Sequence, residues 1–294
     1  MPRMNRRIVS CILCALVFGV AMPLCSKAQD SSASSAKPVS VYISATSQNA
    51  LPVSLAPSDL KVLIDNRQVE VTSMRSVKDD PLLFALLIDV STSGARQSDS
   101  MKRAAIDLFN RLSVRGDRGY LAFFDVLPRI SSRPPTSSEA EALIDAVRFG
   151  GGTAVFNAIG QTCSGPLSRK TNPDPPRKAI FLLTDGDDNQ SKTYPQQAIE
   201  TAQREGIAIY ALSTGERGGP GEHVLKEAAK LTAGAEVNLQ PIENEIAPIL
   251  SALDQQWVIT VKPISAPDLK MHKLRIESMQ PGVSFSAPAQ IALQ

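Results

Sequence analysis

The sequence predicts an α/β protein with a doubly wound, mostly parallel six-stranded sheet that carries helices on both faces. Leu82 to Ile88 is an uninterrupted apolar run, typical of a strand buried on both sides of a parallel sheet. Strand-like and helix-like patterns then alternate through residues 80–255. The segments on either side show strand-like alternation only, which predicts a small flanking β-sandwich-like module made from N- and C-terminal strands.

The first 28 residues have the pattern of a secretory signal peptide. Three arginines within the first seven residues precede the apolar run from Ile8 to Leu24, and the small-x-small triplet Ser26-Lys27-Ala28 follows. The pattern predicts cleavage after Ala28 and an exported protein, either periplasmic or extracellular. The alternative is an uncleaved N-terminal anchor, since the apolar run has 17 residues, near the shortest length that spans a bilayer. We expect membrane attachment only in that case.

The composition narrows the range of functions. The chain has 294 residues, of which 43% are hydrophobic and 20% charged, as is typical of a soluble globular protein. Without residues 1–28 it keeps 27 basic and 29 acidic side chains, a net charge of −2, and no basic patch indicates nucleic-acid binding. Cys163 is the one cysteine beyond that segment, so no internal disulfide can form, and we expect it to be buried on a helix.

The flanks are predicted to form one β module. Residues 29–79 begin with a polar linker and continue with strand patterns, and Asp65-Asn66 indicates a hairpin turn. Residues 256–294 return to strand alternation, and we expect both sets to pair into one small sandwich with Trp257 in its core. An extended C-terminal tail is the alternative. The strand patterns lie at residues 39–44, 60–64, 69–71, 256–261, 272–277 and 282–285.

Within 80–255 the predicted strands and helices follow one another in a regular order. An exposed loop is expected at 171–176, which holds three prolines. The strands after the first are predicted at 118–125, 127–131, 179–184, 207–212 and 236–239. The helices are predicted at 101–112, 137–149, directly after Thr153, and at 195–205, 222–231 and 244–253.

Oxygen-bearing side chains follow two of the buried strands. Asp89, Ser91 and Ser93 occupy alternate positions directly after the first strand. A glycine turn enters a helix at Thr153, and the strand 179–184 runs into Asp185. Carboxylate and hydroxyl oxygens are suited to a hard divalent cation rather than to zinc.

The three motifs, DxSxS, GGT and TDG, resemble those of the von Willebrand factor A domain with its metal-ion-dependent adhesion site. The resemblance covers roughly 80–255 and implies the metal ligands Asp89, Ser91, Ser93, Thr153 and Asp185. It implies Mg2+, or another divalent cation such as Mn2+ or Ca2+. It also implies the strand order 3-2-1-4-5-6, in which the order reverses between the two strands that end in Asp89 and Asp185. Ligands of open α/β sheets bind at such a switch point.

The resemblance implies an exported protein-binding module, not an enzyme, whose cation accepts a carboxylate from a protein partner. No small-molecule substrate is expected. One alternative is a metal-independent structural or interaction scaffold, and a less favoured one is a metal-dependent hydrolase. An aspartyl-phosphate enzyme would need a second carboxylate where Ser91 stands, and a serine hydrolase would need a positioned histidine. Asp187 and Asp188 adjoin the predicted site, either attracting the cation or standing as solvated loop acids.

Overall fold

The computed structural model describes residues 38–47, 54–168, 177–239, 246–262, 268 and 270–293. The predicted signal peptide at 1–28 and the predicted exposed loop at 171–176 lie outside the described residues. None of the helices in the described ranges is long and apolar enough to cross a membrane.

The secondary structure follows the predicted order along the chain. The described strands are β1 (Val39–Ser47), β2 (Leu60–Ile64), β3 (Arg67–Val69), β4 (Val71–Ser76), β5 (Leu82–Asp89), β6 (Arg118–Phe124), β7 (Pro128–Ile130), β8 (Arg177–Thr184), β9 (Ile207–Ser213), β10 (Glu236–Asn238), β11 (Gln256–Val261), β12 (Met271–Ser278), β13 (Val283–Ser286) and β14 (Gln290–Ala292). The described α-helices are α1 (Ser98–Val114), α2 (Ser137–Ala146), α3 (Val155–Ser164), α4 (Pro195–Glu205), α5 (Pro220–Leu231) and α6 (Ile246–Asp254).

The central sheet has six strands in the order β7-β6-β5-β8-β9-β10. All neighbours are parallel except β7, which runs antiparallel to β6 at the edge. Every residue of β5, β8 and β9 is buried, as expected for central strands covered on both faces. The order reverses between β5 and β8, so the predicted sheet and its switch point are confirmed.

Helices cover both faces of this sheet. On one face α1, α2 and α6 pack their apolar side chains on alternate residues of the strands, with Leu108, Ile144 and Ile249 among the buried contacts. On the other face α3, α4 and α5 do the same, through residues that include Ile159 and the buried Cys163. Two cores on either side of one sheet make the α/β part doubly wound.

The strands from the two ends of the chain form a separate β module. Its sheets have the orders β13-β1-β11-β4 and β14-β12-β2-β3, and every pairing in them is antiparallel. Both sheets contribute to one hydrophobic core, as the flanking strand patterns predict. Asp65 and Asn66 have φ angles of 48° and 65°, and they form the predicted turn between β2 and β3. Trp257 is half-buried against this core, less enclosed than expected.

Some element boundaries differ from the sequence expectation. Helix α2 ends at Ala146 rather than at Phe149, because Val147 adopts an extended conformation (φ −69°, ψ 142°). Phe149 is then free to pack against Gly94. The run Val69 to Val71 is divided between two sheets, since β3 ends at Val69 and β4 begins at Val71. Strand β14 is too short to be predicted from alternation.

Buried polar contacts join the β module to the α/β part. Arg177, the first residue of β8, is 1% exposed. Its Nη1 donates hydrogen bonds to the carbonyl oxygens of Val77 (2.9 Å) and Leu253 (3.3 Å). On another side, the amide of Ala289 donates to the carbonyl of Leu231 (3.0 Å). The bonds of Val77 and Ala289 connect the module to β8 and α5, and the bond to Leu253 joins β8 to α6.

One histidine of the β module lies between two carboxylates. His272 in β12 places Nδ1 2.7 Å from Asp65 Oδ2 and Nε2 2.9 Å from Asp268 Oδ1. The hydrogen bonds to Asp65 and then to Asp268 raise the pKa of His272. The hydrogen bond to His272 lowers the pKa of Asp65, and the same holds for Asp268. The hairpin turn and the start of β12 are therefore linked through the ring of His272, and the two carboxylates favour its charged form.

This arrangement predicts a dependence of stability on pH. The pKa of His272 is higher in the folded chain, so its stabilising effect is complete below its unfolded value of about 6.5 and disappears as the pH rises through the folded value. We expect the free energy of unfolding in urea to fall over that range in the wild type, and His272→Asn to flatten the fall. The control His223→Asn, at the exposed histidine of α5, should show the same fall in the free energy of unfolding as the wild type. An equal slope in both variants would contradict this role.

Candidate metal centre

Asp89 closes β5 and lies almost completely inside the protein. The residue is 1% exposed and makes no ion pair with any described residue. The amide of Ser91 donates to Asp89 Oδ1 (2.9 Å), so the chain turns back over the carboxylate. Burial raises the pKa of Asp89 to about 6, although hydrogen bonds from Thr184 and Ser91 act in the opposite direction. A buried carboxylate without a counter-charge is the central electrostatic feature of this region.

The hydroxyls of the first loop converge beside this carboxylate. Ser91 Oγ and Ser93 Oγ are hydrogen-bonded at 3.0 Å. Ser91 is buried whereas Ser93 is exposed, so the pair leads from the end of the strand towards solvent. The 3-10 helix Ser93–Gln97 follows directly and carries the chain away from the sheet.

Thr184 connects the ends of β5 and β8. The parallel register pairs Ile88 with Leu183, which brings the next residues, Asp89 and Thr184, side by side. The Thr184 hydroxyl donates to Asp89 Oδ2 (2.6 Å) and accepts a hydrogen bond from the amide of Gly186 (3.1 Å). Asp185 lies between Thr184 and Gly186, which this second bond holds together. The switch point therefore brings the Asp185 turn to the Asp89 loop through one buried hydroxyl.

The glycine turn before α3 is tied to the first loop. The amide and the hydroxyl of Thr92 both donate to the carbonyl of Gly151 (3.2 and 2.9 Å). In return, the amide of Gly150 donates to the carbonyl of Val90 (2.7 Å). Gly151 has a φ of +87°, a conformation that other residues adopt only with strain. Thr153 therefore follows, by two residues, the position at which Gly151 is bonded to the loop of Asp89, Ser91 and Ser93.

Thr153 is also held by the loop that follows Asp185. Its amide donates to Asn189 Oδ1 (3.0 Å), and its carbonyl accepts from the amides of Asn189 (3.0 Å) and Gln190 (2.9 Å). Thr153 is 2% exposed, yet its hydroxyl makes no hydrogen bond with the residues that the structure describes. The backbone of Thr153 is thus fully engaged, and its side-chain oxygen remains available for a ligand.

Asp188 has a structural role at the start of α3. Its Oδ2 accepts a hydrogen bond from the amide of Phe156 (3.1 Å), and Ser191 Oγ accepts one from the amide of Asn157 (3.0 Å). Both amides belong to the first turn of α3, whose donors lack partners within the helix. The second oxygen of Asp188 accepts from the amide of Ser191 (2.9 Å). Asp188 is therefore a helix cap, and of the two loop acids only Asp187 is exposed.

Close backbone packing holds the Asp185 turn in place. The amide of Asp187 donates to Asp185 Oδ1 (3.1 Å), which orients the half-buried carboxylate. A Cβ atom at Gly221 would lie 2.5 Å from the carbonyl oxygen of Asp185, and one at Gly215 would lie 2.6 Å from it. Since neither distance is sterically possible, both positions require glycine for this approach.

The donor set fits a hard divalent cation. Asp185 lies near enough to Asp89 to contribute to the rise in its pKa, and the loops that carry Ser91, Ser93 and Thr153 are hydrogen-bonded to one another. Oxygen ligands of this kind suit Mg2+ and similar ions. The described residues contain no cluster of three or more His, Cys, Asp or Glu side chains able to hold a metal. A cation here would accordingly depend on hydroxyl oxygens as well as on two acids.

The structure thus brings the three predicted loops to one edge of the sheet. The sequence analysis missed the positioning roles of Thr184 and Asn189, and it interpreted Asp188 as an acid adjoining the site or a solvated loop acid, not as a helix cap. For Thr184 a signal existed, because it precedes Asp185 at the end of a strand and so stands opposite the end of β5. For Asp188 and Asn189 no local pattern indicated that they would contact the turn around Thr153.

Comparisons with known proteins identify the same segment. The model of the von Willebrand factor type A domain family matches residues 84–239, which is more than half of the chain. No curated protein matches the chain. Among solved structures, it is similar to an aerotolerance-related membrane protein from Bacteroides fragilis NCTC 9343, with 16% identity and a TM-score of 0.47 over 60% of this chain and 98% of the other.

Two further solved structures show a similar degree of likeness. BatB from Bacteroides thetaiotaomicron is 18% identical, with a TM-score of 0.42 over 57% of this chain and 98% of the other. Proximal thread matrix protein 1 from the mussel byssus is 15% identical, with a TM-score of 0.47 over 65% of this chain and 49% of the other.

The cap on α3 leads to a stability prediction. Asp188→Ala removes the acceptor of the Phe156 amide, and loss of such a cap costs about 0.5–2 kcal/mol. We expect a decrease of that size in the free energy of unfolding by urea. Asp187→Ala, which removes the neighbouring exposed acid, is the matched control and should have a much smaller effect. Equal losses in the two variants would show that Asp188 does not act as the cap.

Proposed function

This chain belongs to the von Willebrand factor type A domain family, and we propose that it captures a protein partner through a divalent cation. Domains of this family generally mediate protein–protein interactions and often bind such a cation, and they are generally not enzymes. Mg2+ is the proposed ion, with Mn2+ or Ca2+ as substitutes. Residues 80–255 would be the binding domain, flanked by the strands of 29–79 and 256–294.

The observation that carries the proposal is the buried carboxylate of Asp89, which has no counter-ion among the described residues. Its loop is bonded to the turn of Thr153, whose hydroxyl makes no hydrogen bond with a described residue. Both Asp89 oxygens already accept protein hydrogen bonds. We therefore assign Asp89 the role of a fixed negative charge that orients Ser91 and holds water near the ion. The hydroxyls of Ser91, Ser93 and Thr153 would be the neutral ligands, and Asp185 would supply the second charge.

The sparse charge of this ligand set explains how a partner would bind. When bound, the cation supplies an electrophilic position that attracts one more anionic oxygen, because neutral hydroxyls leave much of its field uncompensated. The residues of this chain hold that position near the surface through Ser93, which is exposed. A carboxylate from the partner is the group best suited to complete the shell.

The proposed location is outside the cytoplasm, in the periplasm or beyond the cell. It rests on the charged, apolar and small-residue pattern of the first 28 residues. A protein that acts there would meet divalent cations and the surface domains of other proteins. The partner search below is therefore directed at the cell envelope.

Partner capture with and without chelator tests the proposed function directly. The full chain after Ala28 is immobilised and exposed to envelope extract in Mg2+, in EDTA, and in EDTA followed by excess Mg2+. We expect one or more proteins to be retained only when Mg2+ is present. Partners retained equally in EDTA would instead identify a metal-independent scaffold.

The ligand assignment predicts a graded series of metal affinities. Asp89→Ala and Asp185→Ala should each abolish Mg2+ binding while the fold is retained, because each removes one of only two charges. Ser93→Ala should weaken binding less, since it removes a neutral ligand. Calorimetric titration with Mg2+ measures the effect and circular dichroism verifies the fold. Asp187→Ala is the control, and normal Mg2+ uptake by Asp185→Ala would refute the assignment.

Thr184 should affect metal affinity without touching the ion. Thr184→Val keeps the shape of the side chain but removes the hydroxyl that donates to Asp89 and accepts from Gly186. Loss of an orienting partner outside the ligand shell typically weakens metal binding about 10- to 100-fold. Thr184→Ser should restore most of the affinity in the same titration. Identical Mg2+ affinities for the valine variant and the wild type would exclude this positioning role.

A further inference from the structure

Exposed basic side chains lie on each of the three loops that hold the proposed ligands. Arg96 belongs to the 3-10 helix that begins at Ser93. Arg148 directly precedes Phe149 and the glycine turn of Thr153. Lys192 follows Asp188 and Ser191, the two residues that cap α3. All three cations are exposed, and none makes an ion pair or a side-chain hydrogen bond with a described residue.

Backbone contacts hold these three positions around the site. Gly94, two residues before Arg96, lies against the ring of Phe149, the neighbour of Arg148. The amide of Lys192 donates to Asn157 Oδ1 (3.1 Å) in the first turn of α3. We call Arg96, Arg148 and Lys192 the basic rim. By contrast, Arg129 of the neighbouring strand β7 is already paired with Asp125 at 2.9 Å.

The acidic groups on the three ligand loops (residues 89–97, 147–153 and 185–194) and on the neighbouring turn at Asp125 are mostly engaged. Asp89 and Asp185 are assigned to the cation, Asp188 caps α3, and Asp125 is paired with Arg129. Asp187 is the exposed acid nearest in sequence to a proposed ligand. Within those loops the unpaired charges outside the proposed ligands are therefore three cations, Arg96, Arg148 and Lys192, and one acid, Asp187. The exposed acids Asp99 and Asp145 lie in the adjoining helices α1 and α2.

We infer that the basic rim selects a partner segment with several acidic side chains, so that further carboxylates accompany the one directed at the cation. Complementary charge around a contact raises association rates and rejects wrong partners. This inference rests on the proposed function, and it adds Arg96, Arg148 and Lys192 as specificity-determining residues. Leu127 (66% exposed) bonds through its amide to Asp125, whose carbonyl accepts from Ala154 beside Thr153, and Tyr194 (73% exposed) follows Lys192 by two residues. Both side chains suit apolar neighbours in such a segment.

Three labelled peptides serve as probes for the test. Each has a central aspartate flanked by leucines, and the remaining positions are glutamate in the first, serine in the second and lysine in the third. Binding to the full chain after Ala28 is measured by fluorescence anisotropy at low salt, in Mg2+ and in EDTA. We expect the glutamate peptide to bind most tightly and the lysine peptide most weakly, with a difference that shrinks as salt is added.

Substitutions in the basic rim test whether these residues cause the tighter binding of the glutamate peptide. Each of three variants should lower the affinity for the glutamate peptide about two- to five-fold, as expected for solvent-exposed charge pairs: Arg96→Ser, Arg148→Ser and Lys192→Ser. The affinity for the serine peptide should not change. Arg204→Ser removes an exposed arginine at the far end of α4 and should have no effect. Asp187→Asn removes an exposed negative charge, so it should raise the affinity for the glutamate peptide.

Each outcome separates this inference from the proposed function. Equal, Mg2+-dependent affinities for the glutamate and serine peptides would overturn the inference and leave the proposed function standing. A glutamate preference that depends on the rim but persists in EDTA would support the rim and refute the role of the cation. Failure of all three peptides to bind at millimolar concentration would count against the inference, while the Mg2+ titration would still report on the metal site.

Discussion

The hydrogen bond from Thr184 to Asp89 is the interaction on which the candidate site depends. At 2.6 Å it joins the ends of two buried strands that are adjacent only because the sheet order reverses between them. Asp89 is removed from water there without any counter-ion among the described residues. Burial disfavours the charged form of this carboxylate, and the surrounding loops supply hydrogen-bond donors that favour it.

The loops around this bond hold one another rather than standing independently. Thr92 binds the glycine turn, the turn's Thr153 binds Asn189, and Asp188 of the same loop caps α3. Almost all of these contacts satisfy backbone groups. The hydroxyls of Ser91 and Ser93 bond to each other, and that of Thr153 makes no hydrogen bond with a described residue. Preorganisation of this kind lowers the cost of ordering a site when a ligand arrives. The β module stabilises the opposite end of the sheet, through Arg177 and its two carbonyl partners.

Much of this architecture was predictable because its signals are local. The apolar runs of β5 and β8, the helical periods between them and the motifs at the strand ends indicate a doubly wound sheet with an oxygen-rich switch point. The division of residues 69–71 between two sheets was not predictable. The side chains of β4 alternate weakly, and its place is set by pairing with β11, nearly 200 residues later.

Local patterns suffice to identify which residues end the buried strands and which oxygen atoms they carry, since strand burial and turn chemistry follow from neighbouring residues. That Asp188 caps a helix and that Thr184 orients Asp89 became visible only in the folded chain. Those roles arise from contacts between segments separated by 32 and 95 residues. Such contacts depend on strand order and loop packing, which no local pattern encodes.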